Sequence, residues 1–406
     1  MKNTPTYIER ELSKVLKKMV RQFPSVVITG PRQAGKSTLL QHLFSKTHRY
    51  MTLDDPKLRA LALNDPKTFL NESGSKLIID EIQYAPELLS YLKILIDCDR
   101  HIKGRYILTG SQQFNLMKNL GDSLAGRIAI LELLPFSVEE KKLSRTLKKG
   151  FSTTREYFLD ACLRGSFPEL VQDPKLDREA WYGAYLSTYL ERDIRNLFNI
   201  GDLRTFQQFL VLLAGRCSQI LNLSALSSDL GVAVNTLKRW VSVLEASRII
   251  TLLSPYYQRM GKRISKQPKV YFHDIGLVCY LLSIRDPGFI LKGVMNGALF
   301  ENFCLQETIK TLWHHHKHSS IFYLRTSNDL EIDLLLERNG KLYPVEFKLS
   351  TTASAVMAKP IQRFKELFSD WTIAPGKLVC LDDESGPLTK EVSVLSFDDY
   401  LNWLKQ

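Results

Sequence analysis

Short apolar runs alternate with helix-like stretches through the first third of the chain. Runs rich in valine, isoleucine and leucine begin near Ser25, Lys76, Gly104 and Arg127, and longer amphipathic stretches separate them. Continuous runs of β-branched residues are typical of strands in a parallel sheet that is covered on both faces. The pattern therefore predicts an α/β domain with a parallel sheet, preceded by an amphipathic helix over about residues 8–20.

The pattern changes after this sheet. Residues from about 137 to 215 are mostly helical, and residues 218–272 follow the order helix, helix, strand, strand, which is typical of a helix-turn-helix with a wing. Residues 296–400 return to a mixed α/β pattern that opens with a helix. We therefore predict four domains, which are a core over 1–136, a helical lid over 137–205, a winged helix over 206–275 and a further α/β domain over 276–406.

Residues 331–348, EIDLLLERNGKLYPVEFK, predict a β-hairpin, because Asn339-Gly340 is a strong two-residue turn signal between two β-prone runs. In that register one face is apolar and pairs Leu336 with Tyr343, Leu334 with Val345 and Ile332 with Phe347. The other face brings Asp333 opposite Glu346, with Lys348 beside them. Like charges in this position are destabilising unless a cation lies between them. The pattern leaves open whether that cation is Lys348 with solvent or a metal ion.

Bulk composition is that of an ordinary globular protein, with 44% hydrophobic and 24% charged residues. The net charge of +12 favours an anionic partner such as nucleic acid, although a basic protein with no such partner has the same charge. No apolar run is long enough to span a bilayer, so no membrane association is predicted. The six cysteines show no CxxC spacing, and no signal-peptide pattern opens the chain. We therefore expect free thiols and a cytoplasmic protein.

A glycine-rich loop follows the first predicted strand and opens a helix. Its sequence is Gly30-x-x-x-x-Gly35-Lys36-Ser37. In this spacing the backbone N–H groups surround phosphate oxygens, the lysine reaches the β- and γ-phosphates, and Ser37 supplies an oxygen ligand to Mg²⁺. The predicted nucleotide-binding residues are Gly30, Pro31, Arg32, Gln33, Ala34, Gly35, Lys36, Ser37 and Thr38.

The later strands of this sheet end in polar residues. KLIIDEIQ places Asp80 where it would hold Mg²⁺ through water, and Glu81 where it would act as general base on the attacking water. Thr109 and Ser111 end the next strand, where they either hydrogen-bond the γ-phosphate or cap the strand. Arg127 begins the following strand. It would stabilise transition-state charge in its own site or a neighbour's, or else form a surface salt bridge.

The order of these motifs resembles a branch of the AAA+ ATPases of bacteria and archaea. The resemblance covers about residues 8–200 and rests on the P-loop, the DE strand, TGSQ, AGR and LLPFS. It implies a P-loop AAA+ sheet with a helical lid, ATP and Mg²⁺ as ligands, and ATP hydrolysis carried by Gly35, Lys36, Ser37, Asp80 and Glu81. It also implies that Ser111 is a sensor, that Arg127 is the arginine finger and that Arg192 is a second sensor. The oligomeric state is left open.

A helix-turn-helix pattern spans residues 222–257, and Asn235, Thr236, Lys238 and Arg239 are expected on the exposed side of its second helix. A basic stretch follows, with Arg259, Lys262, Arg263, Lys266 and Lys269. These residues suit contacts with a DNA backbone. The alternative is a module that docks a protein partner. From this segment onwards the chain resembles an uncharacterised C-terminal region that is commonly fused to this ATPase branch, through GKRISKQPKVYFHDIGL, GALFENF, EIDLLL and VEFK.

The acidic hairpin is similar to the site of PD-(D/E)xK nucleases, which have a restriction-endonuclease-like fold. That resemblance implies that Asp333 and Glu346 hold Mg²⁺ and that Lys348 steadies the attacking water. Glu301 on the preceding helix is a candidate to complete the site, and Gln362 lies on the helix after it. The alternative is a nuclease fold without catalysis. The neighbouring run HHHKH at 314–318 is interpreted as a solvated loop or helix end, because consecutive histidines cannot all face one ion.

Together these features favour an ATPase whose nucleotide state controls a C-terminal half that binds or cleaves DNA. The alternative is an ATP-dependent regulatory or protein-docking switch with an inactive nuclease fold.

Overall fold

The computed structural model describes residues 7–71, 76–110, 124, 126–144, 151–189, 203–256, 267–317 and 319–406. Its first part is built on five parallel strands in the order β2-β3-β4-β1-β5. These strands are β1 (Ser25–Thr29), β2 (Arg49–Thr52), β3 (Leu77–Asp80), β4 (Tyr106–Thr109) and β5 (Ile128–Glu132). The predicted parallel sheet is therefore confirmed, and β2 is a strand that the sequence pattern did not indicate.

Helices cover both faces of this sheet. They are α1 (Leu12–Gln22), α2 (Lys36–Phe44), α3 (Pro56–Asn64), α4 (Pro66–Asn71) and α5 (Leu88–Cys98). The predicted amphipathic helix is α1, which begins and ends later than expected because Leu12, Leu16 and Met19 set its buried face. Leu12 and Leu16 pack with α2 on one face of the sheet, and Leu88 and Leu92 of α5 pack on the other. This arrangement buries β1, β3 and β4 completely.

The middle of the chain is mainly helical. Its helices are α6 (Val138–Lys142), α7 (Thr154–Leu163), α8 (Pro168–Gln172), α9 (Arg178–Tyr189), α10 (Leu203–Ala214), α11 (Leu223–Leu230) and α12 (Val234–Ala246). An antiparallel pair follows, β6 (Ile250–Leu253) with β7 (Lys269–Phe272). The helix, helix, strand, strand order predicted for 218–272 is present, with Gly231 at a left-handed backbone position between α11 and α12. Arg259, Lys262, Arg263 and Lys266 lie outside the described residues.

The last part holds a mixed sheet in the order β12-β13-β11-β10-β9-β8. Three helices lead into it, α13 (Ile275–Leu281), α14 (Pro287–Lys292) and α15 (Asn296–His314), and two more lie within it, α16 (Lys359–Leu367) and α17 (Phe397–Leu404). The strands are β8 (Ser320–Arg325), β9 (Glu331–Arg338), β10 (Lys341–Phe347), β11 (Gly376–Val379), β12 (Gly386–Pro387) and β13 (Val392–Leu395). Its β10, β11 and β13 run parallel, and the remaining pairs are antiparallel.

One hydrophobic core joins the middle and last parts of the chain. It includes Phe158 of α7, Trp240 of α12, Phe303 of α15 and Tyr400 of α17, and it also reaches Leu134 just after β5. A separate core lies between α16 and the other face of the mixed sheet. The four predicted domain ranges, 1–136, 137–205, 206–275 and 276–406, stay predictions.

The predicted hairpin is present with the predicted register near its turn, where Tyr343 pairs with Leu336 and Val345 with Leu334. The prediction of a uniformly apolar back face was wrong at Ile332. The register between β8 and β9 shifts between Phe322 and Leu324, so β9 is bulged next to Asp333. As a result Ile332 packs with Leu335 in the core beneath α16, whereas Leu334 packs on the opposite face of the sheet, in the core shared with the middle of the chain.

Two further expectations concern cysteines and the membrane. All six cysteines are free thiols, with Cys98 exposed and the others buried. Within the described ranges, the helices are too short or too polar to cross a bilayer.

Candidate functional site

The glycine-rich loop lies between β1 and α2, and its backbone explains its sequence. Gly35 adopts φ 91° and forms the N-terminal cap of α2, a conformation that L-residues with side chains rarely adopt. Gly30 adopts φ 139°, and a Cβ there would lie 2.1 Å from the carbonyl oxygen of Leu133. The loop therefore requires glycine at both ends of the motif, and it packs directly on the chain that follows β5.

Lys36 is buried inside this loop. Its Nζ donates to the carbonyl oxygens of Gly30 at 3.0 Å and Pro31 at 2.8 Å. The ammonium group is thus enclosed by the backbone that the motif assigns to phosphate binding. A phosphate held by the loop N–H groups would lie next to this positive charge.

Asp80, at the carboxyl end of β3, accepts hydrogen bonds from three hydroxyl groups. Its Oδ2 accepts from Ser37 Oγ at 2.7 Å and from the Tyr50 hydroxyl, and its Oδ1 accepts from Thr109 Oγ1. Burial and the Asp80 carboxylate raise the pKa of Tyr50 well above its usual value. The structure thus brings together Ser37 and Asp80, the two Mg²⁺ ligands that the sequence predicts for this site. Tyr50 lies on β2, the strand that the sequence pattern missed.

Glu81 follows Asp80 with a left-handed backbone, φ 58°. Its N–H donates to Thr109 Oγ1 at 3.2 Å, and its Oε2 accepts from Gln83. Thr109 therefore connects the two acidic residues, a role that the sequence did not predict. Ser111, its predicted neighbour in the site, and Arg192 lie outside the described residues.

The loop and the predicted helical lid enclose a cleft of about 540 Å³. Loop residues Lys36, Ser37 and Thr38 line one side together with Glu81. The opposite side is lined by residues of α8 and α9, which are Pro168, Glu169, Gln172, Tyr185 and Thr188. The cleft therefore has the size and polarity of a small-molecule site, and the lid contribution could not be assigned from local sequence.

Arg127 lies away from this cleft within its own chain. It directly precedes β5, whose first residue, Ile128, pairs with Ser25 at the start of β1, whereas the P-loop follows Thr29 at the end of β1. Four residues of strand separate these edges, roughly 13 Å at about 3.3 Å per residue. The guanidinium pairs with Asp97 at 2.6 and 2.9 Å. Within its own chain Arg127 therefore forms the surface salt bridge that the sequence left open as the alternative to an arginine finger.

The acidic residues of the hairpin converge on Lys348. Its Nζ lies 3.2 Å from Asp333 Oδ2 and 2.5 Å from Glu346 Oε2. The N–H of Phe347 also donates to Asp333 Oδ2, at 3.0 Å. Burial, together with the neighbouring Asp333 charge, raises the pKa of Glu346 well above its usual value. The predicted trio is therefore assembled, and Lys348 alone does not compensate its two carboxylates.

Glu301 on α15 is close enough to Asp333 for the Asp333 charge to act on it. Burial and the Asp333 charge raise its pKa above the usual value, although Lys269 and Tyr271 both contact it. Lys269 Nζ lies 2.9 Å from Glu301 and 2.5 Å from Glu331, and the Tyr271 hydroxyl donates to Glu301 at 2.6 Å. Sequence reasoning assigned Lys269 to a DNA-binding ribbon. The structure instead places it, almost fully buried, as a counter-ion of the acidic cluster.

An open cleft of about 720 Å³ lies over this cluster. Asp333, Glu346 and Lys348 line it, and α16 contributes Gln362, the polar residue that the sequence pointed to. Lys359 and Arg363 of α16 also line it, and so do the acids Asp329, Glu331 and Glu366. The cleft therefore carries mixed charge with an excess of carboxylates, which are ligands that divalent cations such as Mg²⁺ take.

Another carboxylate cluster is less suited to a metal. Glu11, Glu140 and His314 bring ligand atoms within 4.8 Å of one another. However, Arg10 already pairs with Glu140 at 2.9 Å, and His315 Nε2 lies 2.8 Å from Glu11. His314 is fully buried at the end of α15 and its Nε2 accepts from the N–H of Leu134 at 3.3 Å. The solvated interpretation of HHHKH was therefore wrong for His314, although the helix end was placed correctly.

Comparison with known proteins supports an AAA-type domain in the first part of the chain. The family described as AAA domain matches residues 22–142. Two families described as domains of unknown function match residues 155–288 (DUF8612) and 296–400 (DUF4143). The uncharacterized protein Rv2008c of Mycobacterium tuberculosis is 31% identical over 346 residues, which are 85% of this chain and 75% of that protein.

The chain belongs to the same family as Rv2008c. In this family member an AAA-type P-loop domain is fused to a C-terminal DUF4143 region. The uncharacterized protein MJ1544 of Methanocaldococcus jannaschii is 24% identical, over 80% of this chain and 75% of that protein. The solved structure of the Walker-type ATPase paby2304 of Pyrococcus abyssi superposes with a TM-score of 0.47 at 17% identity, covering 68% of this chain and 96% of that chain.

Proposed function

We propose that this protein binds ATP with Mg²⁺ at the P-loop and hydrolyses it. One observation carries the proposal: Ser37 Oγ and Asp80 Oδ2 meet at 2.7 Å beside a loop that encloses the Lys36 ammonium. The match to the AAA domain over residues 22–142 supports the same conclusion. A turn that merely joined a strand to a helix would need none of these groups.

The residues present fit a magnesium ion, because a hydroxyl and a carboxylate are the hard oxygen ligands that Mg²⁺ prefers. Ser37 and Asp80 would hold the ion, which supplies charge neutralisation to the phosphates when bound. The remaining steps of catalysis are carried by groups of the protein itself. Lys36 stabilises charge on the phosphoryl oxygens, the loop N–H groups orient them, and Glu81 positions and deprotonates the attacking water.

The test separates binding from hydrolysis. Glu81→Gln is expected to bind Mg-ATP with near-normal affinity and to hydrolyse it at least about 100-fold more slowly, because a positioned base contributes roughly that factor. Glu87→Gln is the matched control, since Glu87 is an exposed carboxylate six residues away and outside the cleft. Hydrolysis by Glu81→Gln at the wild-type rate would contradict the assigned role.

We further propose that Arg127 completes a neighbouring subunit's site. Its position at the amino edge of the sheet directs it away from its own P-loop. The expected result is an ATPase rate per chain that rises with protein concentration in the wild type and is low at all concentrations in Arg127→Ala. A wild-type rate per chain that is independent of concentration, in a protein that is monomeric by light scattering, would contradict this role.

For the C-terminal half we propose binding of a divalent cation and of a DNA backbone. Asp333 and Glu346 would hold the cation, Glu301 would complete the set, and Lys348 would steady a water or developing negative charge. The geometry supports this proposal, because Asp333 and Glu346 both lie beside Lys348 and line the open cleft. Lys238 and Arg239, exposed on α12, and Arg363 add basic surface for phosphates.

DNA nicking in Mg²⁺ or Mn²⁺ tests the catalytic form of this proposal. We expect cleavage by the wild type and by Glu384→Gln, a control at an exposed acid distant in sequence from the cluster, and none by Asp333→Asn or Glu346→Gln. DNA affinity should fall steeply with salt, because contacts to phosphates release counterions. DNA binding without salt dependence would contradict the proposed backbone contacts.

One observation favours the alternative of a regulatory or protein-docking switch with an inactive nuclease fold. Lys269 occupies the space between Glu301 and Glu331, so those two carboxylates already have a cation within the protein. Under this alternative, Mn²⁺ does not raise the melting temperature and no DNA is cleaved. Cation-dependent nicking that Asp333→Asn abolishes would exclude it.

A further inference from the structure

Arg10 connects the P-loop to the chain that follows β5. It is almost fully buried, although arginine is rarely so. Its Nη1 donates to the carbonyl oxygen of Ala34 in the P-loop at 2.7 Å, and its Nη2 donates to that of Leu134 at 2.6 Å. Its Nε donates to Glu140 at 2.9 Å. A guanidinium has the fixed fork of donors that such a three-way contact needs, and lysine does not.

The P-loop also touches this region directly. The Cα of Gly30 lies so close to the carbonyl oxygen of Leu133 that no side chain fits between them. The guanidinium of Arg10 also lies 4.7 Å from the ring centroid of Phe136. We call residues 133–140 the hinge segment. It includes the LLPFS string, and it contacts the P-loop at Gly30 directly and at Ala34 through Arg10.

The C-terminal helix α15 holds the other side of the hinge segment. Lys310 Nζ donates to the carbonyl oxygen of Phe136 at 2.8 Å, and the N–H of Val138 donates to Glu307 at 2.7 Å. His314 accepts from the N–H of Leu134. These three side chains are buried, so the hydrogen bonds are shielded from water and stronger than surface ones.

The same helix also carries Glu301 of the acidic cluster. Thirteen residues separate Glu301 from His314, which is about 20 Å along a helix at about 1.5 Å per residue. A helix of this length moves as one rigid element. A shift or rotation at its hinge-segment end therefore changes the position of Glu301 relative to Asp333.

We propose that Arg10 and the hinge segment couple nucleotide binding at the P-loop to the position of α15 and so to the acidic cleft. Arg10 acts as a positioning residue, because it donates to the backbone of the P-loop and is not among the residues that line the cleft. The proposal rests on the proposed nucleotide binding. Coupling between two sites is reciprocal, so changes at the α15 end must alter nucleotide affinity even though α15 does not contact the loop.

The test is a double-mutant cycle read by the affinity for Mg-ADP carrying a fluorescent ribose group. Arg10→Met and His314→Ala are each expected to weaken binding about 10-fold. The double variant is expected to weaken nucleotide binding by about the same factor rather than about 100-fold. The two effects do not multiply, because both changes interrupt the same chain of contacts from the P-loop through the hinge segment to α15. His314→Gln keeps an acceptor for the Leu134 N–H and should restore most of the affinity.

Two controls separate coupling from general destabilisation. Arg216→Met removes another partly buried arginine, which donates to the backbone carbonyl of Leu212 and to Asp229 and does not line the cleft, so nucleotide affinity should stay within about 2-fold. If His314→Ala does not fold, the combined change Lys310→Met with Glu307→Gln replaces it in the cycle. That variant removes the donor to the Phe136 carbonyl without leaving a buried charge unpaired.

Failure of the proposed coupling can be distinguished from failure of the proposed nucleotide binding. Folded α15 variants with wild-type ADP affinity, or singles whose effects multiply in the double variant, would overturn the coupling and leave the proposed ATP binding intact. Wild-type protein that binds no Mg-ADP would overturn both proposals.

Discussion

Removing one partner of the buried ion pair between Lys310 and Glu307 should be among the more destabilising single substitutions in the chain. Its atoms lie 2.7 Å apart, and the side chains are 0% and 2% exposed. Lys310 also donates to the Phe136 carbonyl, and Glu307 accepts from the Val138 N–H. Burial lowers the pKa of Lys310 even with Glu307 beside it. Removing either partner therefore leaves a charge without compensation between α15 and the hinge segment.

The expected loss of unfolding free energy follows from the burial of both side chains. Breaking a buried pair by removing one partner costs about 3–5 kcal/mol. In Lys310→Met the Phe136 carbonyl also loses its donor, so this variant should lie at the upper end of that range. Lys310→Met with Glu307→Gln removes both charges and should cost about 2 kcal/mol or less, because neutral groups of similar volume carry no penalty for a buried charge.

The assay is urea unfolding followed by far-ultraviolet circular dichroism for the wild type, both single variants and the double variant. The matched control is Arg285→Met, which breaks a pair to Glu179 at 2.9 Å with side chains 64% and 34% exposed and should cost about 1 kcal/mol or less. A Lys310→Met variant that is destabilised no more than the control would refute the reasoning. So would a double variant whose loss equals the sum of the single losses.

Three other predictions follow from buried contacts. Burial lowers the pKa of His314 to about 4 from an ordinary 6.5, so its contribution to stability is complete above pH 6.5 and is lost as the pH falls through 4. His314→Gln should therefore remove roughly 3 kcal/mol of the acid-induced loss of unfolding free energy, and an unchanged pH profile would contradict this. Gly30→Ala should lower the unfolding free energy by about 1–3 kcal/mol or more, because the added Cβ would clash with the Leu133 carbonyl oxygen. The control is Gly297→Ala, where an added Cβ meets no atom within 4 Å, and it should be neutral or slightly stabilising in the same urea assay. Tyr50→Phe removes a hydrogen bond to the Asp80 carboxylate and should lower the melting temperature by the equivalent of about 1.5–3 kcal/mol; a melting temperature equal to that of the wild type would show that this contact adds nothing.

Features that depend on local spacing could be predicted from the sequence. The P-loop follows from glycines and a lysine at fixed offsets between an apolar strand and a helix. The hairpin register near Asn339-Gly340 follows from a two-residue turn and alternating side chains, and the pairing of Tyr343 with Leu336 confirms it. In both cases a few neighbouring residues determine the backbone.

Features that depend on distant contacts could not be predicted. Arg10 lies 130 residues from Glu140, and Tyr50 lies 30 residues from Asp80 on a short strand with only one buried residue. Lys269 belongs to a basic stretch, and only the packing of β7 against α15 makes it a counter-ion of Glu301. The bulge beside Asp333 depends on pairing with β8, which the hairpin sequence does not contain.

The most direct test of the central claim is phosphate release from Mg-ATP by purified wild-type protein and Lys36→Ala. Lys46→Ala, which changes an exposed lysine just beyond the end of α2, serves as the control. The account predicts magnesium-dependent release by the wild type and the control, and a loss to the uncatalysed rate in Lys36→Ala. Hydrolysis by Lys36→Ala at the wild-type rate would contradict it.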